Sequence, residues 1–229
     1  SILTSLIISL ILSGSYLFKG GFRSNIYADA FQFFVMFAGF IIILVISIFS
    51  FGGFEFLESN LPQTHLSITG GTSPAFILVW FLIALWTFAD PGFHQRSYAA
   101  KSGDIAKKGI LISIVFFALF DFLTTSTGLY AKAVLPNLTQ PMMAYPLFAE
   151  KILGSGFKGI FYAAMFATII STLNSFLFLS ATTIGRDFIF RLNKYSKEEK
   201  IKSYTIFGII FSGIISIIIA YLIPSVVEI

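Results

Sequence analysis

Thr168, Ser171, Thr172 and Ser175 lie within "FATIISTLNSFL", residues 166–177, inside a run that is otherwise apolar. On a helix they fall at i, i+3, i+4 and i+7, so one stripe presents hydroxyls to a single neighbour or cavity. Hydroxyl and backbone oxygens are the ligands that hard, weakly held cations such as Na⁺ accept. A packing explanation competes. Ala163, Ala167, Ser171 and Ser175 are spaced four apart, which is also the small-residue ridge that lets transmembrane helices approach closely. Hydroxyls in such a ridge often bond back to the carbonyl four residues earlier. Spacing alone favours packing over ion binding.

Four other positions place polar chemistry among apolar residues. Asp121, in "FFALFDFLTTST", sits near the middle of an apolar run, where a carboxylate is costly and usually marks an ion or substrate path; the structural alternative is a brace for the neighbouring hydroxyls. Asp90-Pro91-Gly92 breaks another run near one end, and broken helices free backbone carbonyls and helix termini for solute and ion sites. Trp80 and Trp86 precede that break. A membrane tryptophan is by default an interfacial anchor, but Trp86 falls deeper than the interface and is equally a pocket candidate. Asp29, in "YADAFQ", is expected to open a helix, where it either complements the positive helix terminus or attracts a departing cation.

The elements that must hold these groups are membrane helices. Of 229 residues, 56% are hydrophobic and only 11% charged. A mean hydropathy of +0.88 exceeds what a water-soluble domain of this size could cover with polar surface. Six stretches are long and apolar enough to cross a hydrocarbon core: Ile2–Phe18, Ala30–Phe51, Pro74–Asp90, Gly109–Ala131, Gly159–Gly185 and Tyr204–Pro224. The loops after the first, third and fifth stretches carry most of the basic residues, including Lys107, Lys108, Lys194 and the run "KYSKEEKIK". Of the 15 basic residues, only Lys132, Lys151 and Lys158 fall on the other side, so the positive-inside rule puts the basic loops in the cytoplasm and both chain ends outside.

The outer loop Phe54–Ser73 reads as irregular connection. The outer loop Lys132–Phe157 holds enough apolar residues after "LPNLTQP" for a short helix against the bundle, and Asn137 opens a glycosylation sequon. The opening "SILTSLIISL" and the closing "SVVEI" suggest an internal segment of a longer transporter. The chain has no cysteine, and its two histidines, His65 and His94, are far apart. Disulfide, thiolate and zinc chemistry drop out. Despite a pI near 9.2, no nucleic-acid motif is present, and the basic residues are better explained by orientation in the membrane.

Three motifs, in order, resemble the sodium:solute symporter family, whose members have the inverted-repeat, LeuT-like fold. "FKGGFRSNIYADAFQFFVMFAGFIIIL" is similar to the family's Gly-Gly loop and Asp-x-x-Gln helix start, and "DPGFHQRSYAAKSGDIAKKG" to its Gln-Arg, Ala-Ala-Lys-Ser cytoplasmic loop. "YPLFAEKILGSGFKGIFYAAMFATIISTLNSFLFLSATTIGRD" resembles the signature segment. The resemblance covers essentially the whole chain and implies core helices four to nine of a ten-helix repeat pair.

It further implies that Ser171 and Thr172 supply side-chain oxygens and Thr168 its carbonyl to a sodium site, which reverses the order of the two readings for that pair. Trp86 would match the aromatic that closes the substrate pocket from inside in sugar-transporting relatives, with Thr87 and Asp90 nearby. Asp29 would match the acidic residue beneath the sodium site, on the release path. Departures are Thr168 for a common alanine, Asn174 for a common aspartate and Ala28 for the threonine before Asp29. Asp121 has no counterpart carried over.

The expectation is an all-α polytopic transmembrane bundle, a partial LeuT-like fold with six transmembrane helices, forming one domain over residues 1–229. Its function would be Na⁺-coupled symport of a small organic solute by alternating access, multi-pass in the plasma or cell inner membrane. Its partners would be the solute, the lipid bilayer and the remaining helices of the parent transporter, with no nucleic acid. The alternative is a transporter-like membrane sensor domain of a signalling protein. A channel would need a continuous polar pore, and an enzyme a His, Cys or paired-carboxylate constellation that the sequence lacks.

Overall fold

The computed structural model of the chain describes residues 2–193 and 197–223; Lys194 and Pro224, which enter the expectations above, lie outside the described residues. Among the described residues the chain is helical, with no strand. Helix runs over Ile2–Phe51 but is interrupted at Gly21, whose φ of 54° and ψ of −138° suit glycine because no Cβ clashes there. The break separates α1 (Leu3–Phe18) from α2 (Gly20–Phe51). Ser24 bridges it by donating its hydroxyl to the carbonyl of Tyr16 at 3.0 Å.

Two short helices follow, α3 (Phe54–Asn60) and α4 (Gln63–Leu66), then α5 (Pro74–Ile83), a 3₁₀ turn at Ala84–Phe88 and α6 (Pro91–Tyr98). After these come α7 (Gly103–Val134), α8 (Ala144–Ile152) and α9 (Ser155–Thr182). The end of α9 widens into a π-helical stretch, Thr183–Phe190, before α10 (Ile201–Leu222).

Four of these helices are long and apolar enough to span a bilayer, or five if the bent pair around Asp90 is one span. The first expected span survives only as the shorter apolar helix α1. Of the other expected spans, Ala30–Phe51, Gly109–Ala131 and Gly159–Gly185 are present with longer ends, because polar residues such as Asp104 continue a helix rather than stop it. The third stops at Phe88, before the break at Asp90, and the last begins earlier, at Glu198, and ends at Leu222. The expected irregular loop Phe54–Ser73 is instead partly helical: Leu57 of α3 is buried, which gives the segment an apolar face to pack. The short helix expected in the second outer loop is α8, with Phe148 and Ala149 fully buried.

The chain divides into two compact units. One comprises the described residues of 1–32 and 168–229 and packs Leu17, Leu177, Phe178, Ala181 and Ile209 together. Here α9 and α10 meet backbone to backbone, since a Cβ on Gly208 would lie 2.5 Å from the Ala181 carbonyl oxygen. The other unit, residues 33–167, is built on aromatic rings. Phe40 lies edge-on to Phe120, Tyr145 and Phe161 at 5.2, 5.6 and 5.3 Å. Such edge contacts add about 0.5–1.5 kcal/mol each beyond area burial. In contrast, the most apolar window of α7 has no buried residue, a surface suited to lipid rather than water.

Candidate functional site

The hydroxyls on α9 make the back-bonds to an earlier carbonyl that the packing explanation also expects. Ser171 Oγ and Thr172 Oγ1 both donate to the carbonyl of Thr168, at 3.2 and 3.1 Å. Thr168 and Ser171 are half-buried and Thr172 is exposed. The bonds use each hydroxyl proton and leave oxygen lone pairs as acceptors. Three oxygens therefore converge within one helical turn, with no nitrogen or sulfur among them. That donor set fits a hard cation, although a cation that collects about six oxygens would draw the rest from other segments.

The small-residue ridge of Ala163, Ala167, Ser171 and Ser175 shares its two serines with this stripe, and Ala167 is buried. Ala163 is exposed, whereas Ala164 is fully buried and takes up the space beside Gly39 of α2. Thr168, Ser171 and Ser175 follow Ala164 by four, seven and eleven residues and so lie within about 40° of it around the helix, which puts the packing contact and the hydroxyls on one face of α9. Asn174 is the surprise on the helix: it is fully buried, and neither its amide nitrogen nor its amide oxygen has a hydrogen-bond partner.

Asp29 does not open a helix. Gly21 breaks the preceding run eight residues earlier, and nothing from Phe22 onward interrupts the turns, so Asp29 sits inside α2 and the helix-terminus explanation falls. Its carboxylate Oδ2 instead accepts from Asn25 Nδ2 at 3.2 Å, with Asn25 almost fully buried. Asp29 and the hydroxyl cluster belong to the same unit.

The remaining candidates fall in the other unit. The helix pair around Asp90 bends by 43°. Asp90 is the N-cap of α6: its Oδ1 accepts from the backbone N–H groups of Gly92 at 2.7 Å and Phe93 at 3.2 Å, with Pro91 at the first helical position. The carbonyl of Trp86 accepts from the N–H of Ala89 and of Asp90, at 2.8 and 3.0 Å, so the break is hydrogen-bonded rather than loose. Trp86 is 67% exposed and Thr87 is exposed, so neither ring nor hydroxyl is enclosed within this unit. Asp121 is exposed on α7, and its backbone carbonyl accepts the Thr124 hydroxyl at 3.2 Å.

A polar cluster at the α8–α9 connection was not legible in the sequence. Glu150 accepts from Lys158 Nζ and from Tyr162 OH, both at 2.6 Å. The hydrogen bond from Lys158, reinforced by Tyr162, holds the Glu150 carboxyl below its usual value. The eight- and twelve-residue separations match no helical period, because the chain turns between the partners.

A family model described as "Sodium:solute symporter family" matches residues 1–227. The chain is 28% identical to a sodium/pantothenate symporter of Haemophilus influenzae over 95% of its own length and 46% of that protein. It is also 28% identical to the sodium/pantothenate symporter of Escherichia coli, over 98% of this chain and 48% of that one. A bovine sodium/myo-inositol cotransporter 2 is 26% identical over 76% of this chain and 32% of that protein. The chain spans about half the length of the pantothenate symporters it matches.

Proposed function

The chain belongs to the sodium:solute symporter family, and on that premise we propose that it is part of a Na⁺-coupled symporter that moves a small organic solute by alternating access. The observation that carries this reading is the convergence of Ser171 Oγ, Thr172 Oγ1 and the Thr168 carbonyl within one turn of α9. These oxygens hold one side of the Na⁺ site, and the remaining ligands come from other helices of the whole transporter. Asp29, braced by Asn25, draws the ion along its release path.

Trp86, Thr87 and Asp90 line the solute path at the bend between α5 and α6. Asp121 faces that path too, because a mid-span carboxylate against lipid is costly. The six expected spans take the places of core helices four to nine in a LeuT-like repeat pair, in the plasma or cell inner membrane. Among the relatives named above the printed solutes are pantothenate and myo-inositol, and the solute class proposed here is no narrower than a small organic molecule. No covalent step is involved, and none of those relatives supports the sensor alternative.

Coupling is a population shift: Na⁺ must bind the outward-open state better than the inward-open one, by an amount that bounds what it can do for solute capture. The test is radiosodium binding to the full-length protein in liposomes, for the wild type and for Ser171→Ala with Thr172→Ala. Loss of saturable binding in a folded double variant is expected. Binding that persists unchanged would return the hydroxyls to helix packing and sink the site.

A further inference from the structure

We propose that the loop between α4 and α5 forms a second, outer binding site for a neutral polyhydroxylated solute, separate from the sodium cluster. The feature is a cleft of about 620 Å³ whose walls are Thr64–Thr72 and the first turns of α5. The cleft is shallow and its lining residues are exposed, so it offers a solute one wall rather than an enclosure. Its lining is hydroxyl and aromatic: Thr64, Ser67, Thr69 and Thr72 face a shelf made by Trp80 and Phe76, whose rings are 6.1 Å apart.

The loop is preformed rather than slack. Gly70 and Gly71 take successive positive φ values of 59° and 77°, which side chains disfavour, and so reverse the chain tightly. The Gly70 N–H donates to the Ser67 carbonyl at 3.1 Å and the Thr72 N–H to the Thr69 carbonyl at 2.9 Å. Ser73 then caps α5 by accepting from the Phe76 N–H at 3.3 Å.

The side-chain bonds decide what the cleft offers a ligand. Ser67 donates its hydroxyl to the Thr64 carbonyl at 3.2 Å and Thr72 donates to the Thr69 carbonyl at 2.6 Å. Those two hydroxyls therefore present acceptor lone pairs, which need donors from the ligand. Among the described residues lining the cleft there is no Asp, Glu, Lys or Arg, and His65 is the one titratable side chain, so a ligand of fixed positive charge would find no counter-ion. Trp80 is 60% exposed, and its face offers an apolar platform beside the hydroxyls. A molecule with one C–H face and a rim of hydroxyl groups satisfies both halves of this surface. Because the loop lies beyond the apolar spans, on the side with few basic residues, the ligand is a free solute from the outer water.

The test uses the full-length protein in proteoliposomes, freed of other cysteines, with Ile68→Cys at the rim of the cleft. A membrane-impermeant methanethiosulfonate labels that cysteine from outside, with myo-inositol, sorbitol, glucose or choline present as probes. The three polyols are expected to slow labelling in a saturable way while choline does not. Trp80→Ala is expected to raise the protecting concentration by about tenfold, the loss of one aromatic platform. Trp80→Phe should largely restore it, and Ser171→Ala with Thr172→Ala should leave it unchanged. The proposal is overturned if no polyol slows labelling, if choline protects equally, or if protection is indifferent to Trp80→Ala. It is equally overturned if protection vanishes in the Ser171, Thr172 variant, since the loop would then be reporting ion-site conformation.

Discussion

Tyr130 of α7 donates its hydroxyl to the carbonyl of Gly52 at 2.6 Å, joining residues 78 positions apart. Gly52 sits just past the end of α2 with φ of 101°, so the turn that aims this carbonyl depends on glycine. Tyr130→Phe is expected to cost about 1 kcal/mol, the usual worth of such a bond. Gly52→Ala should cost about 1–2 kcal/mol through backbone strain. Thermal unfolding of the full-length protein measures both, and an unshifted midpoint in each would mean that the junction contributes nothing.

Gly208 and Gly213 both lie on α10, but what faces them differs. A Cβ at Gly208 would meet backbone, 2.5 Å from the Ala181 oxygen and 2.9 Å from its Cα, whereas one at Gly213 would meet the flexible end of Leu10 at 2.8 Å. Gly208→Ala must push two helices apart and is expected to cost about 1–3 kcal/mol, with Gly213→Ala well below it. Equal losses in the two variants would contradict the backbone contact.

Thr168 contributes its carbonyl to the hydroxyl cluster, and that group survives any side-chain replacement. Thr168→Ala is therefore expected to leave the sodium concentration for half-maximal transport within about twofold of wild type, under 0.5 kcal/mol. Ser171→Ala should raise it clearly further. If Thr168→Ala proved the worse of the two, the carbonyl assignment would be wrong.

Glu150 makes a prediction about pH. Lys158 and then Tyr162 favour its charged form, so its folded-state value lies below the ordinary 4.5. A depressed carboxyl contributes stability that is present above the unfolded value and lost as pH falls through the folded one. Melting of wild type and Glu150→Gln should therefore differ at pH 7 and converge in acid below about pH 4.5. A difference that grows on acidification would reverse the sign and refute the clasp.

Much of this structure is written in local composition. The apolar runs announce α2, α7, α9 and α10 because a helix that must satisfy its backbone in lipid needs length and apolarity. The Asp90-Pro91-Gly92 break is legible for a similar reason: proline removes a donor and aspartate supplies a cap, whatever surrounds them. The Ser171 and Thr172 bonds to Thr168 follow from helical spacing alone. Harder to read was the start of α2, since Gly21 breaks the helix by a torsion angle and no residue near Asp29 signals continuity. The Glu150–Lys158 clasp and the Tyr130–Gly52 bond depend on how distant turns meet, which no period encodes.

The π-helical stretch Thr183–Phe190 has a consequence for chain length. Its bonds close over five residues instead of four, as if a residue had been added to an ordinary helix. Removing one residue there would let the segment relax to α-helix. The same deletion near Asn174 would rotate every side chain beyond it by about 100°. Tolerance to single-residue deletion in α9 is therefore expected to be concentrated beyond Thr182, so the lower end of this helix can change length while the turn bearing Ser171 and Thr172 keeps its register.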